Sequence, residues 1–401
     1  MRVLFFSTVF PQPHDPRRGP YNLHRCRALA ANHDVAVISP WRWTERVAAR
    51  ATDRRAPAEL AREFVAVDYP TFVYLPGLLY GQHARLLWWS CRRTVEASVS
   101  RFRPDVVLSY WTYPDSAVAR RIARAVGVPS VAIVGGSDVL LADRPARRLR
   151  LSRVLSQADA VMAVSDDLRL RIRELGIEAS RIHLLPPAVD RATFRPGDRG
   201  GARGRLGLPQ SLPILLWVGR MVPVKGLATL FDACATLKRE GREFLLCLVG
   251  DGPLASSLRE RAAAHGLDDR VRFAGERRED ELPDWYRAAD VTVCPSVSEG
   301  TPNVLLESIA CGTRFIASRV GGIPSLASPA VDALVPAGDV AALTSALRTT
   351  MTEAPTDAAR SFVPGSWTAA AAVIEQVLAH AIAAQRRDEP RVALGLLGWN
   401  L

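Results

Sequence analysis

Two cations and two carboxylates, set at strand-to-helix junctions, are the groups in this sequence best placed to do chemistry. In LLWVGRMVPVKGL an apolar strand ends at Gly219, and Arg220 and Lys225 flank the short turn into the next helix. Fixed cations where a strand opens onto a crevice neutralise the charge that builds on a departing phosphate, work that a metal ion does elsewhere. In CPSVSEGTPNVLLESIACG, seven residues separate Glu299 from Glu307 across a second junction. Thr301 suits the N-cap and Pro302 the first helical position, so Glu299 falls on the loop and Glu307 in the second turn, its Cβ tilted back toward the helix start. Both carboxylates can then address one crevice, and the helix start offers free amides and a positive dipole end to a diphosphate. A loop carboxylate fits sugar hydroxyls, and Glu307, among Val304, Leu305, Leu306 and Ile309, fits the paired hydroxyls of a ribose. The plainer reading keeps Arg220 and Lys225 as surface cations and Glu307 as a solvated helix-face residue.

Between these segments, Gly250-Asp251-Gly252-Pro253-Leu254-Ala255 matches the GxGxxA dinucleotide pattern, and Glu276 follows at about the distance of a ribose-binding carboxylate. The match falls after a middle strand, whereas the fingerprint belongs after a first strand. Pro253 is also accounted for as the first residue of a helix after a tight turn.

The elements that must hold these groups alternate. Apolar, β-branched runs at 3–9, 34–39, 105–110, 130–134, 160–164 and 182–185 are separated by helical patterns at 20–31, 82–101, 114–126 and 166–175. A second series places strands at 214–218, 244–249, 271–274, 291–294 and 314–317, with helices near 227–240, 254–265, 279–288 and 302–310. Such alternation predicts an α/β fold of two doubly wound, Rossmann-like parallel sheets, with ligands beyond the carboxyl ends of the strands in a cleft between domains. The stretch from Asp190 to Pro213, rich in Gly, Pro and Arg, looks like a linker. The expected organisation is therefore a domain over 1–190, a linker over 191–212, a second domain over 213–365, a helix over 366–386 and a tail over 387–401.

At 401 residues, 48% hydrophobic, the chain is large enough for two cores. Its net charge of +11 is uneven, +12 in residues 1–200 against −1 in residues 201–401, and Lys225 and Lys238 are the only lysines. The arginine-rich first half is either a solvated basic surface or one that meets an anionic membrane or acceptor. Nucleic acid is not expected, because no basic helix or aromatic-basic RNA motif is present. Six scattered cysteines without CxxC spacing predict free thiols of a reducing compartment, with neither disulfide nor zinc. MRVLFFSTVFPQP suits a first strand better than a signal peptide, and the uncharged run 69–84 is too interrupted to span a bilayer. The expected location is cytoplasmic, with peripheral contact at the inner membrane face.

Taken in order, AVSDDLRLRIRELGI, PPAVDRATFRP, VGRMVPVKG, LVGDGPL, VRFAGERREDELPDWYRAADVTVCPSVSEGTPNVLLESIACG and VGGIP resemble retaining glycosyltransferases of family 4, of GT-B architecture. The resemblance implies a nucleoside-diphosphate sugar donor, UDP- or GDP-linked, with no cofactor and no metal. It places Arg220 and Lys225 on the donor diphosphate, Glu299 on the transferred sugar, Glu307 on the ribose, and Gly300, Thr301, Pro302 and Asn303 on the phosphate. Gly219 and Gly250, which end two strands, belong to the same donor site. Gly19, in the loop PQPHDPRRGPYN, takes the place of the family's glycine-rich approach from the first domain. Trp367 resembles the Trp that opens a final helix packing back on that domain. Retention is usually explained in this family by front-face attack, which needs positioning and charge stabilisation rather than a protein nucleophile.

Departures from the family pattern bear on the acceptor side. AIVGGSDV has Gly135 where a His is frequent, leaving the acceptor-side role to Asp138 or to backbone groups. Pro187-Ala188, Arg314 and Ser325 replace a usual Asn-Gly, Pro and Glu. The acceptor is expected to be a sugar or a lipid-linked glycan, and the product a polysaccharide or glycolipid. The aromatic run from Tyr69 to Tyr80 and the segment Leu86 to Trp89 are either an apolar lip for a lipid-linked acceptor or core, with core favoured for Trp88 and Trp89. Two other functions stay open: a binding-only relative that has lost catalysis, and an NAD-dependent oxidoreductase using GDGPLA.

Overall fold

The computed structural model describes residues 1–48, 57–136, 139, 144–353 and 358–388. The chain divides into two compact units, Met1–Pro186 with the helix Trp367–Asp388, and Pro187–Ser366.

Unit 1 holds a parallel sheet of β1 (Arg2–Phe6), β2 (Asp34–Ile38), β4 (Ala66–Asp68), β6 (Val106–Tyr110), β7 (Ser130–Val134), β8 (Ala160–Ala163) and β9 (Ile182–Leu184), in the order β4-β2-β1-β6-β7-β8-β9. A separate parallel pair joins β3 (Trp41–Arg42) to β5 (Thr71–Phe72). The central strands are continuous apolar runs because helices cover both faces; β6 and β7 are buried at every residue. The helix Trp367–Asp388 returns to this unit. Its length and a mean hydropathy of 1.3 over Trp367–Arg387 would suit a bilayer. Ile374 and Leu378, both at 0% exposure, and the 3.3 Å pair between Glu375 and His33 instead make it a core helix of unit 1.

Unit 2 is a six-stranded parallel sheet of β10 (Ile214–Val218), β11 (Leu245–Val249), β12 (Val271–Gly275), β13 (Val291–Cys294), β14 (Phe315–Ser318) and β15 (Ala333–Val335), ordered β12-β11-β10-β13-β14-β15. Alternate residues of β10 feed opposite cores. Leu215 and Trp217 pack with Phe231, Cys234 and Leu347 on one face, and Ile214 and Leu216 with Trp285, Leu305 and Ile309 on the other.

The stretch 191–212, expected as a linker, is part of unit 2. It carries the helix Arg199–Leu206, and Phe194, Ala202 and Leu208 are buried in the unit's core. Arg203 is buried as well, donating from Nη2 to Asp290 Oδ2 at 2.7 Å and from Nε to the Ala288 carbonyl at 3.0 Å. An arginine so paired counts as solvent-facing in a composition reading but acts as core. The expectation of buried tryptophans divides likewise: Trp88 is buried beneath the Arg121 guanidinium, whereas Trp89 is 63% exposed.

Candidate active site

In unit 2 the strand order reverses direction at β10, so the crevice favoured for ligands lies between the carboxyl ends of β10 and β13. The two loops leaving those ends are joined: Val297 N–H donates to the Val224 carbonyl at 2.8 Å. Lys225 ends a three-residue helical turn, Pro223–Lys225, that Gly226 closes with a φ of +66°. At Gly226 a Cβ would overlap the Pro295 carbonyl of the facing loop, so only glycine allows this approach.

The approach sets Lys225 against Glu299. Lys225 Nζ lies 2.6 Å from Glu299 Oε1, and Ser296 Oγ, fully buried, donates to the same oxygen at 2.7 Å. The pair is mostly sheltered, with side-chain exposures of 26% and 12%. The backbone carrying Glu299 is fixed from behind by the VGGIP segment. Gly322 N–H donates to the Gly300 carbonyl at 2.8 Å, and at Gly321, with φ +53°, a Cβ would overlap the Glu299 carbonyl. Arg220, on the same loop as Lys225, is exposed.

The helix Asn303–Ala310 starts one residue later than expected. Pro302 keeps an extended ψ of 118° and serves as N-cap, so Thr301 lies outside the helix and Asn303 is its first residue. Glu307 still falls in the second turn and is half-buried, not solvated: Tyr286 Oη donates to its Oε2 at 2.6 Å. Burial, reinforced by Glu307, raises the Tyr286 phenol well above its ordinary range, so it remains a neutral donor. Burial likewise pushes the neighbouring Cys294 thiol up to about 11, and all six cysteines are buried and free. No thiolate nucleophile is available from Cys294 at neutral pH.

The GDGPLA segment follows β11, the second strand of its sheet, and its glycines serve a different purpose. A Cβ at Gly250, with φ +132°, would overlap the Gly219 carbonyl, and one at Gly252 would press on the Met221 backbone, whose N–H donates to the Asp251 carbonyl at 2.8 Å. These glycines let the β10 and β11 loops interlock, and Gly219 and Gly250 thereby shape the floor beside Arg220. The next helix begins at Ala255, so Pro253 lies in the preceding turn and not at the first helical position.

Gly19 lies in unit 1 and is the N-cap of the helix Pro20–Ala30, with φ +59°. A Cβ there would come within 2.7 Å of the Val9 carbonyl, which also accepts from Asn22 Nδ2 at 2.6 Å. At Gly135 a Cβ would overlap the Tyr110 hydroxyl, so the phenol fills the space a side chain at 135 would need. Asp138 lies outside the described residues. Sequence reasoning missed Ser296, Tyr286, Gly226 and Gly321. All four lie inside the segments that carry the family resemblance, but nothing in sequence spacing marks Ser296 and Tyr286 as partners of the carboxylates.

Two family models match the chain, Glycosyltransferase Family 4 over residues 19–193 and Glycosyl transferases group 1 over residues 212–353. The chain belongs to the group 1 glycosyltransferases of family 4. The glycosyltransferase is similar to D-inositol 3-phosphate glycosyltransferase 2 of Catenulispora acidiphila, 38% identical over 203 residues, 47% of this chain and 48% of the relative. The match thus spans about half the length of that curated relative. Its fold is that of sucrose-phosphate synthase from Thermosynechococcus elongatus, with a TM-score of 0.72 at 21% identity over 96% of this chain and 94% of the other. The Anabaena protein HepE, solved in complex with UDP-glucose, is similar with a TM-score of 0.67 at 18% identity, over 96% and 98% of the two chains. The architecture is GT-B, two Rossmann-like α/β units with parallel sheets.

Proposed function

We propose that this glycosyltransferase transfers a hexose with retention from a nucleoside-diphosphate sugar, UDP- or GDP-linked, to a hydroxyl acceptor in polysaccharide or glycolipid synthesis. The carrying observation is the constellation at the strand-order reversal of unit 2: Lys225 on Glu299, Ser296 on the same carboxylate, and Tyr286 holding Glu307. Cations and helix-start amides suit the diphosphate, Glu299 the sugar, and Glu307 the ribose. In this reading Arg220, Lys225 and the Gly300–Asn303 segment stabilise the leaving diphosphate electrostatically, with no metal and no covalent protein intermediate. Asp138 is proposed on the acceptor side and Gly19 as the donor-facing turn of unit 1.

The names of the relatives make D-inositol 3-phosphate one acceptor to screen, beside sugars and lipid-linked glycans. Free buried cysteines support action in a reducing, cytoplasmic compartment.

Calorimetric titration with UDP, GDP and NAD, without added metal, tests the donor site on wild type, Lys225→Ala and Glu307→Ala. Binding of one nucleoside diphosphate that both substitutions weaken is the expected result; binding of NAD alone overturns the reading. Retention is read separately from the anomeric configuration of the first-formed product by NMR.

A further inference from the structure

Unit 1 exposes apolar side chains in one region together with most of its excess charge. Leu75, Leu78 and Leu79 are 50%, 63% and 56% exposed on the loop before the helix His83–Phe102. The loop is held in place: Val73 N–H donates to Ser90 Oγ at 3.2 Å, and a His83 ring nitrogen stands 3.2 Å from the Leu78 carbonyl. On that helix the exposed Trp89 is flanked at helical spacing by exposed Arg85, Arg92 and Arg93. A second basic helix, Pro145–Ser156, adjoins through Tyr80, whose ring lies under the Arg147 and Arg150 guanidiniums at 4.9 and 5.9 Å, and it exposes Leu149. Residues 73–102 and 144–156 together hold nine arginines and a single acidic residue, Glu96.

We propose that this face of unit 1 docks on an anionic lipid bilayer, with the Leu75–Leu79 loop and Trp89 entering the headgroup layer and the surrounding arginines meeting lipid phosphates. Both halves of the chemistry point to a membrane over another polyanion. A nucleic acid would engage the arginines but offer nothing to three exposed leucines, and a solvated basic surface would not cluster them there. The docking does not depend on the nucleotide reading of unit 2, because it is measured without donor.

The test is flotation of the full chain with vesicles of phosphatidylcholine alone or with about one third phosphatidylglycerol, at low and high salt. Retention on the anionic vesicles alone, with a tryptophan blue shift that Trp89→Phe diminishes, is expected. Changing Arg85, Arg92 and Arg93 to Gln should weaken partitioning about a hundredfold, and Leu78→Ser with Leu79→Ser about tenfold or more. All five positions are exposed, and an unchanged melting curve shows that folding is intact. A control exchanging the exposed Arg169 and Arg173 for Gln, on another helix, should change partitioning far less. Absence of flotation at low salt overturns the proposal. So does flotation that the leucine variant leaves unchanged, or a loss as large in the control, since either result describes generic polycation behaviour that single-stranded DNA would compete away.

Discussion

Exchanging Glu299 for Gln should make the protein bind a nucleoside diphosphate more tightly while transferring sugar far more slowly. Lys225 is paired with Glu299 at 2.6 Å, so a diphosphate must compete for that ammonium. Two unit charges about 4 Å apart attract by roughly 4 kcal/mol at an effective dielectric of about 20, and a solvent-exposed pair retains about 1 kcal/mol or less. With exposures of 26% and 12%, this pair lies between those limits, at about 1–2 kcal/mol. Glutamine keeps an acceptor for Ser296 Oγ but removes the charge that holds Lys225. Releasing the ammonium is then worth roughly a 5- to 30-fold lower Kd for UDP or GDP. Turnover should fall by about a hundredfold or more, because the carboxylate proposed to hold the sugar is gone. Calorimetry gives the first quantity and product formation at saturating donor the second. Adding Lys225→Met tests the coupling, since Glu299→Gln should bring no gain once Lys225 is absent. A Kd unchanged or weakened in Glu299→Gln, with an unchanged melting curve, refutes the competition argument.

Three other perturbations have expected outcomes. Tyr286→Phe deletes the 2.6 Å bond to Glu307 and should weaken binding of the nucleoside diphosphate by about 1–2 kcal/mol in calorimetry, leaving kcat little changed. Gly226→Ala should destabilise the fold by about 2 kcal/mol or more in a denaturant titration, since its φ of +66° is left-handed and the added Cβ overlaps the Pro295 carbonyl. Asp115 is at 0% exposure, and burial raises it from the ordinary carboxyl range to about 7. The folded state therefore holds a proton that the unfolded chain has released, so this group's contribution is fully present below about pH 4 and is lost as pH rises through about 7, by about 4 kcal/mol at most. Asp115→Asn should flatten that loss, and unfolding free energies at pH 5 and 8 measure it; an equal drop in both proteins counts against the assignment.

Most of the sheet was legible because strands covered on both faces must be apolar at every residue. The runs at 130–134, 214–218 and 291–294 coincide with β7, β10 and β13. The two- and three-residue strands β3, β4, β5 and β15 leave no periodic trace, and their pairing is set by neighbours distant in sequence. The helix Arg199–Leu206 was hidden by glycines and arginines, because the burial of Arg203 depends on partners such as Ala288 and Asp290 that lie 85 and 87 residues away. The same limit applied at the site. Spacing could place Glu299 and Glu307 on one loop and helix, but it does not show what orients them: Ser296 of the same loop and Lys225 of the β10 loop for one, and Tyr286 of another helix for the other.

The two sheets reverse their strand order at corresponding places yet hold different groups there. In unit 1 the reversal falls between β1 and β6, where Asp115 Oδ2 accepts from Thr8 N–H at 2.6 Å and Thr8 Oγ1 at 2.8 Å, sealed from water. A carboxyl so enclosed ties the β1 loop to the β6 end and cannot exchange partners without exposing buried polar atoms. In unit 2 the corresponding place holds Lys225 and Glu299, joined but within reach of solvent. A partly exposed ion pair loses less when one partner is replaced by an incoming anion or hydroxyl, since water compensates the separated charges. The sealed arrangement suits a fixed loop and the exchangeable one suits a ligand that carries charge. That difference, more than the shared strand order, is the reason the proposed nucleoside-diphosphate site is put in unit 2.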